Sequence, residues 1–172
     1  MEVIIRTDTE SATKLAADLI AHALLAKPHT VLGLATGRTM ERLYALLSET
    51  NRKNEVDFSL TKTFNLDEYV GIPAKHKGSY RHYMNHHFFD KINIDKRNTF
   101  LPNGTAEGLS AECADYEKKI REFGGIDLQV LGIGRDGHIG FNEPLSSLQS
   151  RTRVKALTPS TIEQNSPLFE NP

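Results

Sequence analysis

The chain has 172 residues, 38% apolar and 25% charged, which suits one globular domain with a real core and excludes a disordered or low-complexity chain. A formal charge of −1 offers no broad attraction to nucleic acid or anionic lipid, so a phosphate ligand has to be caught by a local site. A single cysteine, Cys113, excludes an internal disulfide framework and a cysteine-built zinc site. The N-terminus MEVIIRTDTE lacks the basic start and long apolar stretch of a signal peptide, and no run approaches the ~18 apolar residues of a membrane span. We therefore expect a cytoplasmic protein with no nucleic-acid or membrane partner and a small-molecule ligand.

Short apolar runs alternate with segments of helical period, the pattern of βαβ units, and no linker or repeat interrupts it. Residues 1–6 predict a first strand. Thr7 and Glu10 offer a capping box for a helix whose Ala12, Leu15, Ala16, Leu19, Ile20 and Ala23 share one face. Residues 30–35 predict a buried strand, followed by the loop Thr36-Gly37-Arg38-Thr39 and a helix with Met40, Leu43, Tyr44 and Leu47 inward. A third strand is expected over 61–65, a helix over 80–89, and a short extended piece over 98–101. The helix over 110–123 should stop at Gly124-Gly125, and 126–133 (IDLQVLGI) carries the clearest strand pattern of all. Residues 153–157 predict another strand, with Thr158 and Pro159 as N-cap and first position of a last helix.

In open α/β sheets ligands bind beyond the carboxyl ends of the strands, and three chemically loaded loops fall at such ends. Thr36 to Thr39 reads either as a cradle of backbone N–H groups for a phosphate or as a plain turn with a helix cap. Asp67 and Glu68 read either as acids facing the cleft, one of them at least, or as turn and capping acids. Asp136, His138 and Glu143 bring two carboxylates to an imidazole, an arrangement that serves proton transfer or a structural histidine–carboxylate pair. Gly132, Gly134 and Gly137 spell the dinucleotide pattern G-x-G-x-x-G, but a poor helix follows and residues 155–160 contain no acid for a ribose. His82, His86 and Asp90 recur every four residues, yet the segment is polar all round, and no metal site is read there.

The strings LGLATGRT, TFNLDEYVG, SYRHYMNHHFFD and LGIGRDGHIGFNEPLSSLQSRTRVKALT resemble the glucosamine-6-phosphate deaminase family, nearly throughout residues 31–169. The resemblance implies a Rossmann-like three-layer α/β fold with a mainly parallel sheet. It implies a cofactor-free conversion of glucosamine 6-phosphate and water to fructose 6-phosphate and ammonia. Asp67 then matches the acid that moves a proton between C2 and C1. Asp136, His138 and Glu143 match the ring-opening group, with His138 as proton carrier, and Thr36, Gly37, Arg38 and Thr39 match the phosphate loop. Ser146, Arg153 and Lys155 match the N-acetylglucosamine 6-phosphate effector site of regulated, hexameric relatives, although Ala156 replaces a Thr there. Arg38 and Met40 stand where many members have Gly and Pro, and Pro167 where some have a phosphate-binding Arg. Members continue past residue 172, so the chain reads as a single catalytic domain shortened at its C-terminal end. Three rival readings share the pattern: a galactosamine-6-phosphate deaminase, a 6-phosphogluconolactonase, which would lack the Asp67 acid, and a sugar-phosphate-sensing effector domain, which would lose the acids.

Overall fold

A computed structural model describes residues 1–134 and 136–165. Helix α1 (Thr9–Ala26) leads to strand β1 (Val31–Leu34), α2 (Arg38–Arg52), β2 (Lys62–Asn65), α3 (Tyr80–His87), β3 (Thr99–Phe100), α4 (Leu109–Glu122), β4 (Leu128–Gln129) and α5 (Pro159–Asn165). The sheet is wholly parallel in the order β3-β2-β1-β4, with Leu32 opposite Thr63 on one side and Leu128 on the other. All four residues of β1 are buried, as expected of a central strand covered on both faces.

Alternation along β1 divides the core. Leu32 and Leu34 join Ala17, Ile20 and Leu24 of α1 and Leu43, Tyr44 and Leu47 of α2, while Val31 joins Phe64 and Tyr116 of α4 in a smaller cluster. Helices thus cover both faces, which makes three layers. Each fully buried Leu or Phe stabilises by roughly 1.5–3 kcal/mol relative to exposure. Tyr44 stacks on Phe88 at 4.7 Å and Phe58 meets the same ring edge-on at 5.5 Å, locking α2 against the segment after α3.

Several sequence expectations need correction. Residues 1–6 form no strand, and Val3, Ile4 and Ile5 stand exposed. The cap of α1 lies one residue later than expected: Asp8 accepts from the Ser11 N–H at 2.7 Å, and Ser11 Oγ accepts from the Asp8 N–H in return. A carboxylate at this position satisfies an orphan donor and the positive helix end together. The inward stripe of α1 runs through Ala17, Ile20 and Leu24, leaving Leu19 exposed. The expected strand over 126–133 shrinks to β4, which pairs only with β1 among the described residues; Leu131 and Ile133 are exposed. Residues 153–157 form no strand. No helix of the described residues is long and apolar enough to cross a membrane.

Candidate active site

β1 sits between β2 and β4, so the chain leaves it toward one side and returns on the other. At such a reversal the loops after neighbouring strands diverge and leave a crevice. A cavity of about 230 Å³ occupies it, lined by Thr36, Gly37 and Thr39 after β1, Asp67 after β2, and Gly134 and His138 after β4. Tyr80 of α3, Phe141, and Thr161 of α5 complete the wall.

The adjacent acids Asp67 and Glu68 receive opposite surroundings. Burial pushes the Asp67 carboxyl from 3.8 up to about 7, the neighbouring Glu68 charge pushes the same way, and one Phe141 backbone N–H opposes them. A Cβ placed on Gly140 would lie 3.0 Å from Asp67 Oδ2, so the loop after β4 packs directly on this carboxylate. Glu68 accepts from the N–H groups of Tyr69, Tyr80 and Arg81, each at 2.9 Å. Two of those donors belong to the first turn of α3, where orphan N–H groups need acceptors. Asp67 therefore faces the cavity, and Glu68 is the capping acid.

In the third loop Asp136 Oδ1 lies 2.6 Å from His138 Nδ1 and accepts from the His138 N–H at 3.2 Å. An ionised carboxylate only accepts, so Nδ1 carries the proton and Nε2 is left for the cavity side. Those bonds hold the Asp136 carboxyl below its usual range. Asp136 is 44% exposed and does not line the cavity, whereas the His138 side chain is 25% exposed and does. The ring lies over Gly134, where an added Cβ would meet it at 2.2 Å, so only glycine admits this pose.

Glu143 is buried, and its Oε1 accepts from the hydroxyl of Thr161 at 2.6 Å and from the hydroxyl and N–H of Thr158 at 3.1 and 3.2 Å. The Thr161 bond is the largest cause of a lowered carboxyl pKa, against the opposing cost of burial. Acceptor atoms of Asp136 and Glu143 and a ring nitrogen of His138 all lie within 4.8 Å of one another. The three expected members of this group do come together. By contrast, His82, His86 and Asp90 form no such group among the described residues.

Of the expected phosphate loop, Thr36, Gly37 and Thr39 line the cavity and the exposed Arg38 side does not. No helix opens at Gly137, where the chain makes a turn, so the dinucleotide pattern is spent on that turn. Ser146, Arg153 and Lys155 lie apart from the small cavity, along a larger groove of about 830 Å³ that Asp67 also borders. Pro167 lies outside the described residues.

Sequence reasoning missed Tyr80, Thr161 and the clamp made by Glu68. Tyr80 and Tyr83, three apart in an expected helix, already shared a face, and that spacing was the available signal. Thr161 had none, because its partner Glu143 is eighteen positions away in sequence.

Fold and cavity define an open parallel α/β protein with an imidazole–carboxylate group and a separate, protonatable acid around one small ligand space. A profile of the family described as glucosamine-6-phosphate isomerases/6-phosphogluconolactonase matches residues 7–157, and the chain belongs to that family. It is similar to the glucosamine-6-phosphate deaminases of Thermoanaerobacter sp. (strain X514), 49% identical over 99% of this chain and 68% of that protein, and of Cellvibrio japonicus, 51% identical over 98% and 64%. The solved structure of a monomeric glucosamine-6-phosphate deaminase superposes with a TM-score of 0.95 at 42% identity, covering 99% of this chain and 71% of that one. A 6-phosphogluconolactonase from Thermotoga maritima, 21% identical with a TM-score of 0.66 over 81% of this chain and 62% of that one, shares the fold. The chain spans about two-thirds of the length of its deaminase relatives.

Proposed function

We propose that the chain converts glucosamine 6-phosphate and water to fructose 6-phosphate and ammonia, with Asp67 as the carbon base and His138 as the ring-opening proton carrier. The observation that carries this reading is the single cavity shared by Asp67, His138 and the threonine loop. The identity to deaminases supports the choice of substrate.

The steps follow from the groups present. His138 Nε2 takes the proton of the C1 hydroxyl and delivers it to the ring oxygen as the C1–O5 bond breaks, which leaves an aldehyde at C1. Asp136 fixes the ring tautomer and, with Glu143, supplies negative charge that stabilises the imidazolium formed in passing. The aldehyde acidifies the C2 proton; Asp67 removes it and returns it to C1, while O1 takes up a proton and the nitrogen gives one up, leaving a hydroxyl at C1 and an imine at C2. Water then adds to that carbon and ammonia leaves, giving the ketone. A carboxyl poised near 7 is a far better base for carbon than one at 3.8, and it is still half ionised at neutral pH. Thr36 and Thr39, beside the N-terminal end of α2, suit the phosphate end.

The second half of the reading is an effector site for N-acetylglucosamine 6-phosphate in the larger groove. Ser146 Oγ is buried without a hydrogen-bond partner, and Arg153 and Lys155 line the same groove. Ammonia release from glucosamine 6-phosphate tests the main claim: wild type should release it, and Asp67→Asn should not. Equal release by the variant would remove Asp67 from the mechanism.

A further inference from the structure

Building on the reading of residues 36–39 as the phosphate loop, we infer that α3 sets the geometry of that loop through two positioning residues, Tyr83 on the Gly37 carbonyl and Tyr80 in the cavity wall that it shares with Thr36. Gly37 is the N-cap of α2, has φ +109°, and offers no side chain to cap the helix. A glycine at such a φ has little local preference for one peptide orientation, so the loop needs an outside restraint. Tyr83 provides one: its hydroxyl donates to the Gly37 carbonyl at 2.7 Å, alongside the Met40 N–H at 2.9 Å.

Gly37 lines the cavity and Tyr83 does not, so the bond to Tyr83 holds the Gly37 carbonyl oxygen away from the ligand space. A flipped peptide would instead offer an oxygen to an incoming phosphate, which repels it.

Tyr80 works one turn earlier on the same face. Its hydroxyl lies 3.2 Å from that of Tyr69, its ring stacks on Phe141 with centroids 5.7 Å apart, and it lines the same cavity as Thr36. It therefore touches the loops after β2 and β4 and shares a cavity wall with the loop after β1. Burial drives its phenol far above the ordinary range, so it stays a neutral hydrogen-bonding group at any working pH. The helix that carries both tyrosines is itself pinned: Ser79 Oγ accepts from the His82 N–H at 3.0 Å, and Glu68 accepts from the Tyr80 and Arg81 N–H groups. Glu68 adjoins Asp67, so the same helix registers the anion end of the site against the proposed base.

The test is calorimetric binding of inorganic phosphate to wild type, Tyr83→Phe, Tyr80→Phe, and the loop variants Thr36→Val and Thr39→Val, with KM, kcat and thermal melting on each. Loss of one hydrogen bond corresponds to roughly 2- to 10-fold in affinity. Tyr83→Phe should weaken phosphate by that factor and raise KM, while kcat and the melting temperature move much less. A merely structural tyrosine would lower the melting temperature and leave phosphate affinity alone. If the threonine variants weaken phosphate and neither tyrosine variant does, the brace is wrong and the loop reading stands. If no loop variant changes phosphate binding, or wild type binds none, the loop reading fails and takes the brace with it.

Discussion

Asp67 and Glu143 are both loop carboxylates bordering the same groove, yet the fold treats them in opposite ways. Glu143 receives two hydroxyls and a backbone N–H on one oxygen, and its carboxyl is held low. Asp67 receives one backbone N–H, is desolvated, and sits beside Glu68, so its carboxyl rises to about 7. The difference teaches how one residue class fills two jobs: donors make a carboxylate a fixed charge, and their scarcity makes it a base. Asp136 belongs with Glu143, since its bonds to His138 hold it ionised although it is exposed.

The largest blow to that contrast is Asp67→Asn, which removes the base and keeps the shape. We expect kcat/KM for ammonia release to fall by about 10² to 10⁴, the usual worth of one positioned base. His138→Gln should cost on the order of 10² and act on ring opening, so substrate supplied in its open-chain form should recover much of the rate. Normal kinetics with closed-ring substrate would take His138 out of the scheme.

The two classes of carboxylate also predict opposite pH behaviour. Because Asp67 binds a proton more tightly folded than unfolded, folding takes one up between its ordinary pKa of 3.8 and about 7, and stability falls as pH rises through that window. Asp67→Asn should therefore stabilise the fold at pH 8, on the order of 1–2 kcal/mol by denaturant titration, and do little at pH 3. Glu143 has its pKa lowered, so its contribution is present above the unfolded value and disappears as pH falls below it. Thr161→Val removes its shortest bond and should cost about 1–3 kcal/mol at neutral pH, with a smaller loss in acid. The mildest effect should come from the groove: N-acetylglucosamine 6-phosphate should lower KM of the wild type by a few fold, and Lys155→Gln should abolish that response.

Residue by residue the sequence left Asp67 and Glu68 undivided, and only the family resemblance chose Asp67. The division depends on where α3 begins, twelve positions after Glu68, because the orphan N–H groups of Tyr80 and Arg81 claim one acid and leave the other. The group around His138 was legible, since it lies within one loop. So were α2, with its inward Met40, Leu43, Tyr44 and Leu47, and β1, whose unbroken apolar run means burial on both faces. The same rule failed for residues 1–6, 126–133 and 153–157. An apolar run predicts a strand only if a neighbour supplies the ladder, and among the described residues β4 has a neighbour on one side while the other two segments have none.

The most direct test is a titration of the Asp67 carboxyl carbon by NMR in the substrate-free protein, assigned by its disappearance in Asp67→Asn. A midpoint near 7 is predicted. A midpoint near 4, the value of a solvated aspartate, would contradict the account, because Asp67 would then be one more fixed charge and not a base.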